Sequence, residues 1–332
     1  MDKKATQVLK YVLSLLLAAA LLYFAFRGVD WKDFWAGLQK TRWGYVILSL
    51  VPAFAALVLR AERWRLQLVT IDPDVDRRRI WDGSNFGNVI NLAIPGVGEF
   101  YRCAHISGGK AGYDRTFGTI LMERAWDIAS VFVLLLSAVI AGRDKLVAFM
   151  RDNVLTPISG RFGMPLWLIA ALVLAAMAAV VLVVYSLRGR NRFCRRCADA
   201  AKGVLDGFTA FARMDGKGLF LLYTAGIWAM YILMTFFTFK AVPGLEDLTL
   251  ADSLFISSVG NIASVIPTPG NLGAYHYIVG LAISSIYLGS NRILEAPLLC
   301  ATLSHGSHAV LLIVVAIFSY IHLAVSRKNN LA

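Results

Sequence analysis

Long apolar stretches recur along this chain, and they leave few folds open to it. A helix crosses a bilayer with roughly 20 mostly apolar residues. Stretches of that kind run from Val8 to Phe26, Tyr45 to Leu59, Thr116 to Ile140, Leu166 to Leu187, Leu219 to Lys240 and Leu298 to Val325. Two further regions, about 84–100 and 253–288, are apolar but interrupted by Gly, Pro and Asn. Composition agrees. Of the residues, 58% are hydrophobic and 16% charged, against about 45–50% and about a quarter in an ordinary soluble domain. That excludes a disordered chain, a coiled coil and an ordinary cytosolic enzyme. The first stretch is longer than a signal-peptide core and lacks a small-x-small cleavage site, so it reads as a span. The longest polar interval, Arg188 to Lys217, is too short for a separate catalytic domain.

The same chain carries a net charge of +12, from 33 Lys+Arg against 21 Asp+Glu. Lys and Arg favour cytoplasmic loops. With the N-terminus inside, one face collects Lys3, Lys4, Lys10, the cations from Arg60 to Arg79, Arg102, Lys110, Arg115, those from Arg188 to Lys217, and Arg327 with Lys328. That face outnumbers the other about two to one, the bias of a chain with both termini in the cytoplasm. It requires six full crossings, with both interrupted regions re-entrant. Juxtamembrane cations also attract anionic headgroups. No basic domain stands free of the membrane, so nucleic acid is not an expected partner. Trp31, Phe34, Trp35 and Leu38 mark one apolar helical face, and Phe193, Cys197, Val204, Leu205, Phe208 and Phe211 another. Both read as helices lying in the membrane interface or packed on the protein's own loops. Cys194 and Cys197 form a lone C-x-x-C. With no second pair or nearby His, they read as thiols on a helix; neither a metal nor a cofactor is expected.

The interrupted regions match each other. Residues 84–98 read SNFGNVINLAIPGVG and residues 257–273 read SSVGNIASVIPTPGNLG. Gly87-Asn88 aligns with Gly260-Asn261, and Pro95-Gly96 with Pro269-Gly270. Each half then reads span, amphipathic helix, span, broken hairpin, span. Three crossings is an odd number, so the halves run in opposite directions. The expected fold is an all-α polytopic membrane protein with an inverted-topology internal repeat, residues 1–160 and 161–332. It has about six full transmembrane helices and two re-entrant Pro/Gly-broken hairpins. Paired interruptions of this kind point to a transporter's binding site, because broken backbone inside a membrane must be buried in protein or line a wet cavity. Helix N-termini at such breaks favour anions. Pro and Gly also kink packed helices without any such role.

Ionisable residues gather near both breaks. Glu99 and Arg102 follow the first, in PGVGEFYR, and Glu123, Arg124 and Asp127 lie inside a span, in LMERAWDIASV. Charges in a bilayer are costly, so they are paired or functional. Glu123 and Asp127 share a helix face, where Arg102 or Arg124 can neutralise them. Either arginine is also a candidate for a phosphate, and Glu99 or Glu123 for protons. His276 follows the second break, and His305 and His308 lie early in the last span. They serve as proton carriers or phosphate ligands, or as neutral rings bonded to the broken backbone. Asn88, Asn261 and Asn271 are placed to cap that backbone. The candidate substrate site thus comprises Asn88, Pro95, Gly96, Gly98, Glu99, Arg102, Glu123, Arg124, Asp127, Asn261, Pro267, Pro269, Gly270, Asn271, Gly273, His276 and His305. No H-E-x-x-H, G-x-S-x-G or P-loop pattern accompanies them, and no catalytic residue is assigned.

PGVGEFYR, then MERAWD, then PTPGNLG with YHY and a later Ser304-His305, resemble the lysylphosphatidylglycerol synthase transmembrane-region family, whose members are also called flippase-like domain proteins. The similarity covers almost the whole chain. In the multiple peptide resistance factors the corresponding region is implied to move aminoacylated lipid across the membrane, ahead of a soluble aminoacyltransferase domain. This chain ends at Ala332, so synthase activity is not carried over. Val97 stands where the family's P-G-R-x-G-E motif has Arg, and His276 stands near the place of an acidic residue. The resemblance implies a flippase for an anionic lipid or lipid-linked precursor in the cytoplasmic (inner) membrane. The alternatives are an intramembrane enzyme acting on a lipid headgroup and an accessory subunit of a cell-envelope complex. The expected partner is a membrane lipid; a homo-oligomer or an envelope-biosynthesis partner is also open.

Overall fold

The computed structural model describes residues 3–107, 112–141, 214–263, 266–290 and 292–329, with short pieces between 168 and 211. Helices α1 (Lys3–Phe26), α2 (Trp31–Gln39), α3 (Trp43–Leu68), α4 (Arg77–Ala93), α5 (Val97–Ile106) and α6 (Tyr113–Ala141) form the first group. Helices α7 (Lys217–Ala241), α8 (Leu250–Ile262), α9 (Ala274–Leu288) and α10 (Glu295–Asn329) form the second. No strand occurs among the described residues. Trp43–Leu68, Lys217–Ala241 and Glu295–Ile321 are each long and apolar enough to cross a membrane. Tyr11–Phe26 with Trp31–Gln39 makes a fourth if that pair, bent by 88°, counts as one span. The chain is an all-helical polytopic membrane protein. The expected span from Leu166 to Leu187 and the amphipathic stripe from Phe193 to Phe211 fall largely outside the described residues.

Local sequence explains where these helices start and turn. Gly28, at φ +80°, ends α1, and Asp30 starts α2 by accepting from the Lys32 and Asp33 amides. That side-chain cap satisfies donors left bare at a helix start. On α2 the expected apolar face divides. Phe34 is buried, while Trp31 and Trp35 are each 60% exposed. Helix α3 corrects an expected boundary. The apolar stretch from Tyr45 to Leu59 leaves Arg60 and Arg63 to the following loop, but the helix continues to Leu68. Arg60, Arg63, Trp64 and Gln67 then follow one another at helical spacing along one side.

Each interrupted region folds as a pair of antiparallel helices. In the first, Ile94 turns extended and Gly96 takes φ +79°, so α4 stops and α5 begins. Pro95 lacks an N–H to continue α4, and Gly tolerates the left-handed turn. The helical pair spans Arg77–Ile106, longer at both ends than the expected 84–100. Its helices touch through glycine. A Cβ on Gly98 would run into the Gly87 carbonyl oxygen, and one on Gly83 would lie 2.9 Å from the His105 ring. The second pair opens with a Thr249–Asp252 capping box at α8, the reciprocal arrangement that satisfies two helix-start donors. It breaks through a tight turn at Pro269–Asn271 and resumes at α9. Here Gly260 faces Tyr275 and Val279.

The two breaks meet. A Cβ on Gly270 would lie 3.2 Å from both the Cα and the carbonyl oxygen of Leu92, in the last turn of α4. On its other side the second break rests on α1. Ser14 donates to the Pro267 carbonyl at 2.6 Å, and Gly273 packs against Ala18 and Leu22 so closely that no side chain fits. Helices α1, α2, α7, α8, α9 and α10 share an apolar cluster that includes Ala25, Phe34, Phe239, Phe255, Ile283 and Leu298.

Candidate functional site

A cavity of about 790 Å³ opens where the breaks meet. That volume suits a small-molecule or lipid-headgroup site. Helices α3 to α10 and both breaks supply its walls. One end is polar, with Arg60, Asn88, Glu99, Arg124, Asp127 and His308. Along α6 the wall turns apolar, through Ile128, Val131, Phe132 and Leu135. Ile128 is 57% exposed and Phe132 76%.

The expected site residues divide between cavity wall and framework. Asn88, Pro95, Gly96, Glu99, Arg124, Asp127, Asn261, Gly270, Asn271 and His305 line the cavity. Gly98, Arg102, Glu123, Pro267, Pro269, Gly273 and His276 do not. Gly98 and Gly273 instead permit close helix contacts. His276 is buried against the rings of Phe26 and His305.

The ion pairs explain this division. Arg102 donates to Glu123 at 2.7 Å and stacks 4.0 Å above the Trp64 ring. Arg63, fully buried, donates to Asp127 at 2.8 Å and lies 3.7 Å from the other Glu123 oxygen. Glu123 therefore bridges two guanidiniums, behind the cavity wall. The sequence counts both arginines among the loop cations, and offers Arg102 also as a partner for Glu123, which it is. They are framework cations that join α3 and α5 to α6. Removing one partner of such a buried pair costs about 3–5 kcal/mol. Arg124 instead reaches from α6 to Glu99 on α5, along the cavity. The second Glu99 oxygen, Oε2, is buried without a hydrogen-bond partner.

Backbone freed by the breaks is satisfied by side chains. Asn91, not the expected Asn88, caps α5 by accepting from the Gly98 amide at 2.8 Å. Asn261 donates to the Ser257 carbonyl one turn earlier in its own helix. His305 Nε2 donates to the Gly270 carbonyl at 2.6 Å. That bond places the proton on Nε2, and His305 acts as a brace for the broken helix. Tyr275 and Ser304 hydroxyls pair at 3.2 Å beside it. Among the described residues, no group of three His, Cys, Asp or Glu side chains is arranged to hold a metal ion.

Sequence reasoning missed Arg60, Asn91, Trp228 and Tyr231, all of which line the cavity. The stripe of polar residues at helical spacing beyond Leu59 was the available signal for Arg60. Nothing local marks Trp228 or Tyr231, which sit in an otherwise apolar span.

No curated protein and no solved structure matches the chain. The model of the lysylphosphatidylglycerol synthase TM region matches residues 11–316, nearly its whole length. The matched segment takes in both broken hairpins and every cavity residue named above, and the chain belongs to the lysylphosphatidylglycerol synthase TM region family.

Proposed function

We propose that the chain is a flippase, moving an anionic phospholipid or lipid-linked precursor across the cytoplasmic membrane, with both termini on the cytoplasmic side. Family membership supports a role in lipid handling. The observation that carries the finer reading is the cavity itself. It is polar where the two breaks meet and apolar along α6. A headgroup occupies the first part, and the acyl chains follow the second toward the bilayer.

In this reading Arg124 releases Glu99 and meets the headgroup phosphate. The hairpins are re-entrant, belong to inverted repeats, and rock against each other to open the cavity to each leaflet in turn. Arg102 and Glu123 hold the frame and do not touch the lipid. The chain acts by transport, with no covalent step.

The test is leaflet exchange in vesicles holding the purified chain and fluorescent anionic or neutral lipids. Exchange above the protein-free rate is expected for the anionic lipid, with Arg124→Ala slower by tenfold or more. Equal rates for wild type, Arg124→Ala and empty vesicles would defeat the reading.

A further inference from the structure

Arg60 differs from its neighbours. Arg63, Arg102 and Arg124 each pair with a carboxylate. Arg60 lines the cavity, and among the described residues it has no carboxylate within salt-bridge distance. Its hydrogen-bond partner is the Tyr231 hydroxyl, at 3.2 Å. Around this end of the cavity stand four guanidiniums, of Arg60, Arg63, Arg102 and Arg124, and three carboxylates, of Glu99, Glu123 and Asp127. The cluster therefore carries one uncompensated positive charge, and Arg60 holds it on the cavity wall. Arg60 is half-buried on that wall, where a counter-ion entering the cavity can meet it.

The groups beside Arg60 are donors. Trp228, one turn before Tyr231 on α7, lines the same cavity and is 7% exposed, and its Nε1–H has no acceptor. An indole N–H can only donate. Tyr231 accepts from Arg60 through its oxygen and keeps its own proton to give. His308 reaches the cavity from α10, and its buried Nδ1 is also unpartnered; in the tautomer protonated there it too donates. Unpaired buried donors are rare in native structures and call for a partner.

We propose that Arg60, Trp228, Tyr231 and His308 form a subsite for one singly charged oxyanion of the phosphodiester class, beside the Arg124–Glu99 pair, so that one phosphate meets both Arg60 and Arg124. The guanidinium supplies the charge and a planar fork suited to two oxygens. The phenol supplies a directed donor beside it, and the indole and imidazole nitrogens, buried without partners in the residues of the same wall, are donors that a small shift of the wall brings to the ion. The subsite deepens the transport reading, because it fixes the headgroup by its one negative charge. A phosphodiester can reach it as a lipid headgroup or as a soluble ester.

Equilibrium binding to the full chain in detergent tests this without requiring transport. The probes are fluorescent phosphatidylglycerol, the matching diacylglycerol without phosphate, and soluble glycerophosphoglycerol as competitor. Phosphatidylglycerol should bind at least tenfold more tightly than the diacylglycerol. Arg60→Gln should weaken it about ten- to a hundredfold, the loss of a charged hydrogen-bond partner, and leave diacylglycerol binding unchanged. Trp228→Phe, which removes little but the N–H, should weaken it several-fold, and keeps the test available if Arg60→Gln does not fold. Competition by glycerophosphoglycerol identifies a free ester as sufficient; its failure to compete identifies the lipid as the source. Both support the subsite. Equal affinity for the two lipids, or unchanged phosphatidylglycerol binding in folded Arg60→Gln or Trp228→Phe, would overturn it. Tight, Arg60-dependent binding without leaflet exchange would defeat the transport reading and leave the subsite standing.

Discussion

Glu123 and Glu99 are both carboxylates paired with arginine, yet their surroundings give them different work. Glu123 lies between Arg63 and Arg102, with all three side chains less than a tenth exposed. Glu99 meets Arg124 at the cavity, where the arginine side chain is 44% exposed. An exposed pair contributes about 0–1 kcal/mol, whereas losing one partner of a buried pair costs about 3–5 kcal/mol; the Glu99 pair, with its carboxylate 16% exposed, lies between these. Glu123→Gln should therefore lower the thermal unfolding midpoint in detergent strongly, and Glu99→Gln clearly less. Equal shifts would contradict the division between frame and cavity. Half of this network was legible. The acids of MERAWD are conspicuous inside an apolar run. Arg63 was not, because a cation just past an apolar stretch looks the same whether it meets water or a carboxylate on another helix. Only the fold brings Asp127 to it.

At the level of elements, the first broken hairpin depends on two glycines that allow backbone contact. Gly98→Ala sets two effects against each other. Alanine is the better helix former by about 1 kcal/mol. Its methyl group, however, would collide with the Gly87 carbonyl, a rigid backbone atom. Overpacking of this kind costs about 1–3 kcal/mol or more, so the collision wins and Gly98→Ala should unfold at lower temperature. Gly118→Ala on α6 meets no atom within 4 Å and should be neutral or slightly stabilising. Parallel melting curves decide it; a neutral Gly98→Ala would mean the helices do not touch there. The breaks themselves were readable, since Pro and Gly act on their own backbone. Helix ends were less so. Helix α3 runs on through Arg60 and Arg63 because partners from α6 and α7 receive them, and the local pattern carries no trace of those partners.

For the whole molecule, the finding that matters is that two segments far apart in the chain abut at Leu92 and Gly270. Their likeness was visible in the sequence, and their contact was not, because periodicity describes faces and not neighbours. If rocking opens the cavity, this contact must loosen in each cycle. A disulfide needs Cβ atoms about 3.5–4.5 Å apart; a Cβ on Gly270 lies 3.2 Å from the Leu92 Cα, so Leu92→Cys with Gly270→Cys joins the breaks once the backbone gives by a few tenths of an ångström, in a chain whose Cys103, Cys194, Cys197 and Cys300 are replaced by Ser or Ala. The decisive measurement is leaflet exchange of a labelled anionic lipid by this variant in vesicles, before oxidation, after it, and after reduction. The expected result is exchange that stops when the bond forms and returns when it is reduced. Exchange at an unchanged rate in fully cross-linked protein would contradict a lipid path opened where the two breaks meet.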